Sequence, residues 1–156
     1  WDVTPGVSSF CGAAAAVGTE YTLPGVSQSV IITRMAGRTP VPERESIATL
    51  AAHGATMVIF LSAGMLEGLS TELLKGAYTP DTPAALVYKA TWPEEKVVRC
   101  TVGTLAQAGR EHQISKTALV LVGDFLSHSY QRSLLYHPGF TTEFRQGDGS
   151  LDGAAL

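Results

Sequence analysis

The chain has 156 residues, a formal net charge of −3 and 45% hydrophobic residues, enough apolar material for one domain with a real core. This balance excludes an intrinsically disordered chain, and a chain without a basic excess is not expected to bind nucleic acid. No apolar run approaches the length of a transmembrane helix, so no membrane association is expected. Two distant cysteines, Cys11 and Cys100, predict a cytoplasmic protein without a disulfide framework or zinc site.

The first 24 residues predict a strand over 1–4, a helix of small residues over 8–17 and a turn at 23–25. This opening does not fit the strand–helix alternation that follows it. Residues 1–24 are therefore interpreted as the last strand and the linker helix of a truncated first domain.

Residues 25–145 are interpreted as a second α/β domain with a C-terminal extension. Strands are predicted over 29–33, 56–61, 85–89, 96–101 and 117–122, and helices over 45–53, 65–75 and 104–112. Several strands are apolar along their whole length, which is typical of a sheet buried on both faces. We therefore expect an α/β fold in which helices cover both faces of a mixed sheet. The glycine-rich residues 146–156 predict a flexible tail.

Motifs for nucleotide binding, zinc hydrolysis or an activated serine are absent, and the four histidines lack metal-ligand spacing. We therefore assign no catalytic residue and no metal site. Small residues instead occupy the loops after strands, where ligands of open α/β sheets bind, at 5–9, 61–64 and 89–91. Such residues let a ligand reach the backbone, but tight packing selects them equally well.

Arg34 and Arg38 lie in the loop after the first strand of the second domain. Two neighbouring guanidinium groups suit a polycarboxylate, because each can hold one carboxylate through two hydrogen bonds. The alternative is a solvated loop in which both arginines pair with Glu43 and Glu45. Residues 92–95 similarly suit either the rim around a large flat ligand or a plain hairpin turn.

Several segments, in this order, resemble the tetrapyrrole (corrin/porphyrin) methyltransferase family: 3–10 (VTPGVSSF), 23–34 (LPGVSQSVIITR), 37–43 (GRTPVPE), 60–63 (FLSA) and 87–99 (VYKATWPEEKVVR). The resemblance extends from about residue 2 to residue 145. The GRTPVP and YKATWP segments resemble the branch that methylates C11 of a corrin precursor, with or without cobalt, in cobalamin biosynthesis. The resemblance implies a two-domain homodimeric enzyme that binds S-adenosyl-L-methionine between its domains and releases S-adenosyl-L-homocysteine.

The resemblance also implies which residues contact the cofactor: Ser8, Ser9, Leu61, Ser62, Ala90, Thr117, Ala118 and Leu119. Within this group, Ala90 would lie against the adenosine, and the last three residues would border the adenine. Arg34 and Arg38 become candidates for binding the carboxylates of the tetrapyrrole substrate. The family's Gly-Asp-Pro loop has no counterpart in this sequence, so we expect the isolated chain to be inactive. The alternatives are a non-catalytic α/β binding or dimerisation fragment, and a sister methylase acting at another carbon.

Overall fold

The structure is a computed structural model that describes residues 1–127 and 137–150. Within these ranges the chain forms one five-stranded sheet and four α-helices. The strands are β1 (Val30–Arg34), β2 (Thr56–Phe60), β3 (Pro83–Tyr88), β4 (Lys96–Thr101) and β5 (Ala118–Val122). The helices are α1 (Ser9–Val17), α2 (Ile47–Ala51), α3 (Leu66–Leu73) and α4 (Leu105–Glu111). None of the described helices is long and apolar enough to cross a bilayer.

The strands lie in the order β1-β2-β5-β3-β4. The first two strands run parallel, and every other neighbouring pair is antiparallel, so the predicted mixed sheet is confirmed. Strand β5 is the last of these five strands in sequence but occupies the centre of the sheet. Strands β3 and β4 form a hairpin, and residues 92–95 lie in its turn.

Both faces of the sheet are buried, as the apolar strands predict, because successive side chains of a strand point to opposite faces. One core contains Ile59, Leu86 and Val120 and packs against α2, α3 and α4. The opposite core contains Val58, Leu121 and residues of α1. The α/β architecture with helices on both faces is therefore confirmed.

Helix α1 is attached to this sheet by its own packing and by side-chain hydrogen bonds. Two residues of α1 itself, Ala13 and Val17, are buried. Arg99, on β4, donates from Nη2 to the carbonyl oxygen of Val17 at 2.9 Å.

The predicted strand over residues 1–4 is wrong: these residues are exposed and pair with no strand in the described part of the chain. A strand needs a partner backbone, and none is offered there.

The helix predicted over 45–53 is shorter in the structure because a cap intervenes. Residues Glu43–Glu45 form a 3₁₀ turn, and α2 begins only at Ile47. Ser46 is the N-cap, and its Oγ accepts a hydrogen bond from the backbone N–H of Thr49 at 3.2 Å.

Gly76 permits a close approach between the end of α3 and the end of α2. A Cβ at this position would lie 2.4 Å from the backbone carbonyl carbon of Ala51. The neighbouring Ala77 N–H donates to the Ala51 oxygen at 3.0 Å. Only glycine allows the two backbones to lie this close without displacement.

The segment 137–150 folds back on itself. The Gly147 N–H donates to Thr141 Oγ1 at 3.1 Å, and the Asp148 N–H donates to the Pro138 oxygen at 3.2 Å. Residues 151–156 of the predicted flexible tail lie outside the described residues, and the flexibility of 146–150 stays a prediction. The division of the chain at residue 24 likewise stays a prediction.

Candidate ligand-binding cleft

A cleft of about 430 Å³ opens at one edge of the sheet. Strands β2 and β3 end at this edge, and β5 begins there, because β5 runs antiparallel to both. Its lining comes from the residues that follow β2 and β3, from the start of β5 and from Ser9 at the first turn of α1. The position agrees with the sequence-based expectation that a ligand binds beyond the strand ends.

Three residues around the cleft adopt the left-handed backbone region although none is a glycine. Leu61 follows β2 with φ 54°, Lys89 follows β3 with φ 46°, and Thr117 precedes β5 with φ 55°. This conformation costs a residue with a side chain about 1–2 kcal/mol. Such strain concentrates at ligand sites, where the surrounding structure holds it in place. Leu61 is also 81% exposed, which is unusual for a leucine beside a buried strand.

Backbone hydrogen bonds join the two sides of the cleft. The Lys89 N–H donates to the Thr117 carbonyl oxygen at 2.9 Å, which extends the β3–β5 ladder beyond the strands. The Lys89 oxygen in turn accepts from the Trp92 N–H at 2.9 Å. Glu95 closes the hairpin turn by accepting from the Thr91 N–H at 2.6 Å. The rim that carries Trp92 is therefore fixed to the start of β5.

Six of the eight residues that the family resemblance assigns to the cofactor line this cleft: Ser9, Leu61, Ala90, Thr117, Ala118 and Leu119. The sequence separates them widely, and the sheet brings them together. Their contact with a cofactor stays a prediction.

The other two assigned residues, Ser8 and Ser62, do not line the cleft. Ser8 is exposed and immediately precedes α1. Ser62 is fully buried, and its Oγ donates to the Phe60 oxygen at 2.8 Å while accepting from the Met35 N–H at 3.0 Å. Ser62 thus joins the loop after β1 to the end of β2, and its side chain is occupied within the protein.

Arg34 and Arg38 lie outside the cleft lining. Arg34 uses its guanidinium within its own loop, donating to the carbonyl oxygens of Thr39 at 3.2 Å and Pro40 at 2.8 Å. Arg38 is exposed on the loop that Arg34 holds. The alternative in which both arginines pair with Glu43 and Glu45 is wrong: within the described residues Glu45 pairs with Arg44, at 3.4 Å.

Two lysines that the sequence analysis did not single out, Lys89 and Lys116, line the cleft. Lys89 Nζ lies 3.3 Å from Glu94 Oε1 and 5.1 Å from the centre of the Trp92 ring. Desolvation alone would lower the pKa of Lys89, but its hydrogen bond and ion pair with Glu94 raise it above the usual value. The available signal was the YKATWP segment, which contains Lys89.

The inner wall of the cleft is apolar, with Phe60, Val87 and Leu119 among its side chains. Ala90 and Ala118 add little bulk, so a flat ring can lie against backbone and methyl groups. No group of three or more His, Cys, Asp or Glu side chains that could hold a metal ion occurs in the described parts of the chain. The arrangement suits binding and orientation of an organic ligand.

Comparisons with known proteins agree with this architecture. The family model described as Tetrapyrrole (Corrin/Porphyrin) Methylases matches residues 1–106. Cobalt-precorrin-4 C(11)-methyltransferase of Methanocaldococcus jannaschii is 46% identical over 146 residues, which are 93% of this chain and 56% of that protein. Precorrin-4 C(11)-methyltransferase of Sinorhizobium sp is 42% identical over 147 residues, which are 93% of this chain and 58% of that protein.

The chain also matches the X-ray structure of cobalt precorrin-4 methyltransferase, a cobalamin biosynthetic enzyme. The TM-score is 0.79 at 45% identity, and the match covers 81% of this chain and 53% of the other. The chain therefore spans about half the length of the relatives it matches. These matches confirm the family resemblance that the sequence segments indicate.

Proposed function

Because this chain belongs to the tetrapyrrole (corrin/porphyrin) methylase family, we propose that it forms the second α/β domain of an S-adenosyl-L-methionine-dependent methyltransferase of cobalamin biosynthesis. The substrate is precorrin-4 or cobalt-precorrin-4, and the methyl group goes to C11. One observation carries this proposal. Residues that the resemblance assigns to the cofactor from four separate stretches of sequence converge on a single cleft.

The described residues fit the adenosine part of the cofactor. Ala90 and Ala118 leave room beside an apolar wall, and the left-handed residues Leu61 and Thr117 turn backbone groups at the strand ends. The cofactor would supply a methyl group activated by a positively charged sulfur. The protein's contribution is to bind and orient the two reactants and to exclude water. We assign no general base and no protein-bound metal, and any cobalt belongs to the substrate.

On the substrate side, Arg38 is proposed to bind a carboxylate of the tetrapyrrole, and Arg34 is proposed to support it. Arg34 holds the carbonyl groups of residues 39 and 40, which fixes the loop that presents Arg38. Ser62 ties the start of this loop to the end of β2, beside the cleft. Arg34 is thus proposed to position the loop, while the exposed Arg38 guanidinium is left for a ligand.

Identities of 42–46% to C11-methyltransferases favour C11 over another ring position. A homodimer and a cytoplasmic location are also proposed. The family resemblance supports the homodimer, and the cysteine content of two widely separated residues, Cys11 and Cys100, supports the location.

Calorimetric titration of the chain with S-adenosyl-L-homocysteine tests the cofactor part of the proposal. Binding is expected, and Ala90→Phe should weaken it at least about tenfold, because the ring would fill the ligand's space. Ala90→Val should give a smaller loss, and Ala52→Phe, on the exposed end of α2, is the matched control.

Thermal melts of each variant must accompany the titration, since the Ala90 methyl also lies near α1 at Gly12. A folded Ala90→Phe variant with unchanged affinity would remove Ala90 from the site. No binding by the unmodified chain would favour a non-catalytic module.

A further inference from the structure

The described part of the chain contributes charged side chains of one sign to the cleft. Two of the chain's four lysines, Lys89 and Lys116, line it, and no aspartate or glutamate among residues 1–127 and 137–150 does. The chain as a whole carries net charge −3, so this local excess of positive charge opposes the overall balance. A cleft lined by one sign of charge attracts a ligand of the opposite sign.

Lys89 is held in a defined position at the rim. Its side chain is only 21% exposed, and its ammonium group lies 5.1 Å from the centre of the Trp92 ring and 5.5 Å from that of Tyr88. Glu94, 60% exposed, approaches the ammonium group from the hairpin turn. An ammonium has three donors, so a single carboxylate leaves Lys89 able to bind another acceptor.

A backbone hydrogen bond brings Lys116 close to Lys89. It precedes Thr117, whose carbonyl oxygen accepts the Lys89 N–H. Lys116 is exposed and makes no ion pair or side-chain hydrogen bond with any residue in 1–127 or 137–150. Its charge is therefore available to a ligand that enters the cleft.

We propose that Lys89 and Lys116 bind carboxylate groups of the tetrapyrrole substrate at the mouth of the cleft. The inference rests on the proposed function, because it assigns the anionic groups of the second ligand of the same site. The substrate suits these lysines better than the cofactor does. A corrin precursor carries acetate and propionate groups around its ring, whereas S-adenosyl-L-methionine has a net positive charge that two ammonium groups would repel.

Porphyrin binding to the full 156-residue chain tests this inference. The probe is uroporphyrin, whose ring carries carboxylates on all sides, and the comparison is a porphyrin with cationic substituents. Trp1→Phe leaves Trp92 as the sole tryptophan, and its quenching reports occupation of the cleft. We expect uroporphyrin to bind more tightly than the cationic porphyrin, with an affinity that falls as salt rises from about 50 to about 300 mM.

Lys89→Gln and Lys116→Gln should each weaken uroporphyrin binding by about threefold to tenfold. Lys75→Gln is the matched control, because Lys75 lies beyond the end of α3, outside the cleft lining, and pairs with Glu72. Glu94→Gln should act in the opposite direction, strengthening binding about twofold to fivefold by releasing Lys89. In a Lys89→Gln background Glu94→Gln should have no effect, which ties the gain to this one ion pair.

Titration with S-adenosyl-L-homocysteine is run on the same variants. Unchanged affinity in both lysine variants supports assignment to the substrate, and a loss equal to that for uroporphyrin would overturn it. The inference is also overturned if uroporphyrin does not bind, or if both lysine variants bind it like the unmodified chain. Failure of S-adenosyl-L-homocysteine to bind the unmodified chain would instead count against the proposed function.

Discussion

At the level of single residues, the cleft is distinguished by three residues that carry a side chain and yet have a backbone in the left-handed region. Leu61, Lys89 and Thr117 each adopt a backbone conformation in which glycine would be less strained. Elsewhere among the described residues, turns with positive φ are mostly glycine, as at Gly18 and Gly54. Side chains at the three cleft positions therefore carry a conformational cost, which is consistent with a role for them at the site.

Cys100, on β4, gives a prediction about alkaline stability. Burial raises the pKa of its thiol from 9.0 to about 11, because the thiolate would lose its hydration. The folded state thus holds the thiol proton more tightly than the unfolded state does. This contribution to stability is complete below about pH 9 and is lost as the pH rises from 9 towards 11.

We therefore expect the melting temperature to fall across pH 9–11, and to fall less steeply in Cys100→Ala. Calorimetry at a series of pH values measures the slope. Cys11→Ala is the comparison, because it removes an exposed thiol from the same chain. Burial also raises the pKa of Tyr78 to about 12, and its contribution is lost above about pH 10 in both cysteine variants alike, so the difference between the variants isolates Cys100. Equal slopes in the two cysteine variants would show that Cys100 does not drive the effect.

At the level of elements, Gly76 predicts how the helices on one face hold together. Gly76→Ala should destabilise the protein by about 1–3 kcal/mol, because the new methyl group meets the backbone of Ala51 and not a movable side chain. Gly6→Ala is the matched control, since a Cβ there meets nothing within 4 Å. Urea unfolding of both variants measures the difference. A Gly76→Ala variant as stable as Gly6→Ala would mean that α2 and α3 separate easily.

Local sequence patterns predicted most elements between residues 25 and 127. The strand predicted over 96–101 matches β4 residue for residue, and the strand predicted over 56–61 matches β2 except for its last residue. That residue, Leu61, leaves the ladder by turning into the left-handed region, which no apolar pattern reveals. The strand predicted over 1–4 fails because pairing depends on a distant partner, and periodicity within four residues carries no information about one.

The site was predictable only in part, because local sequence does not reveal contacts with distant segments. Small residues after β2 and β3 indicated the edge of the sheet at which the cleft opens, and the family segments assigned Ala90 and Thr117, which line it. Lys116 could not be selected, because its position beside Lys89 depends on β5 lying between β2 and β3. The internal hydrogen bonds of Ser62 Oγ to Met35 and Phe60 could not be predicted, because a buried serine has the same local sequence as a serine that faces a ligand.

At the level of the whole molecule, a polypeptide of these 156 residues alone should transfer methyl groups very slowly. The match covers only 56–58% of the C(11)-methyltransferase relatives, and methyl transfer requires both reactants to be held in line. The measurement is incorporation of labelled methyl from S-adenosyl-L-methionine into a corrin precursor, beside one of the longer relatives. Turnover at a rate near that of the relative would contradict this expectation.

The central place of β5 also has a consequence for synthesis on the ribosome. While residues 118–122 are still inside the exit tunnel, the pairs of the described sheet that the nascent chain can form are β1–β2 and the β3–β4 hairpin. Each pair then has one strand edge without a partner, on β2 in the first pair and on β3 in the second. These strands carry side chains such as Ile59 and Leu86 that are buried in the folded chain. Such edges are hazards for misassociation between neighbouring chains. The emergence of five residues, Ala118–Val122, joins the two halves and removes both edges at once.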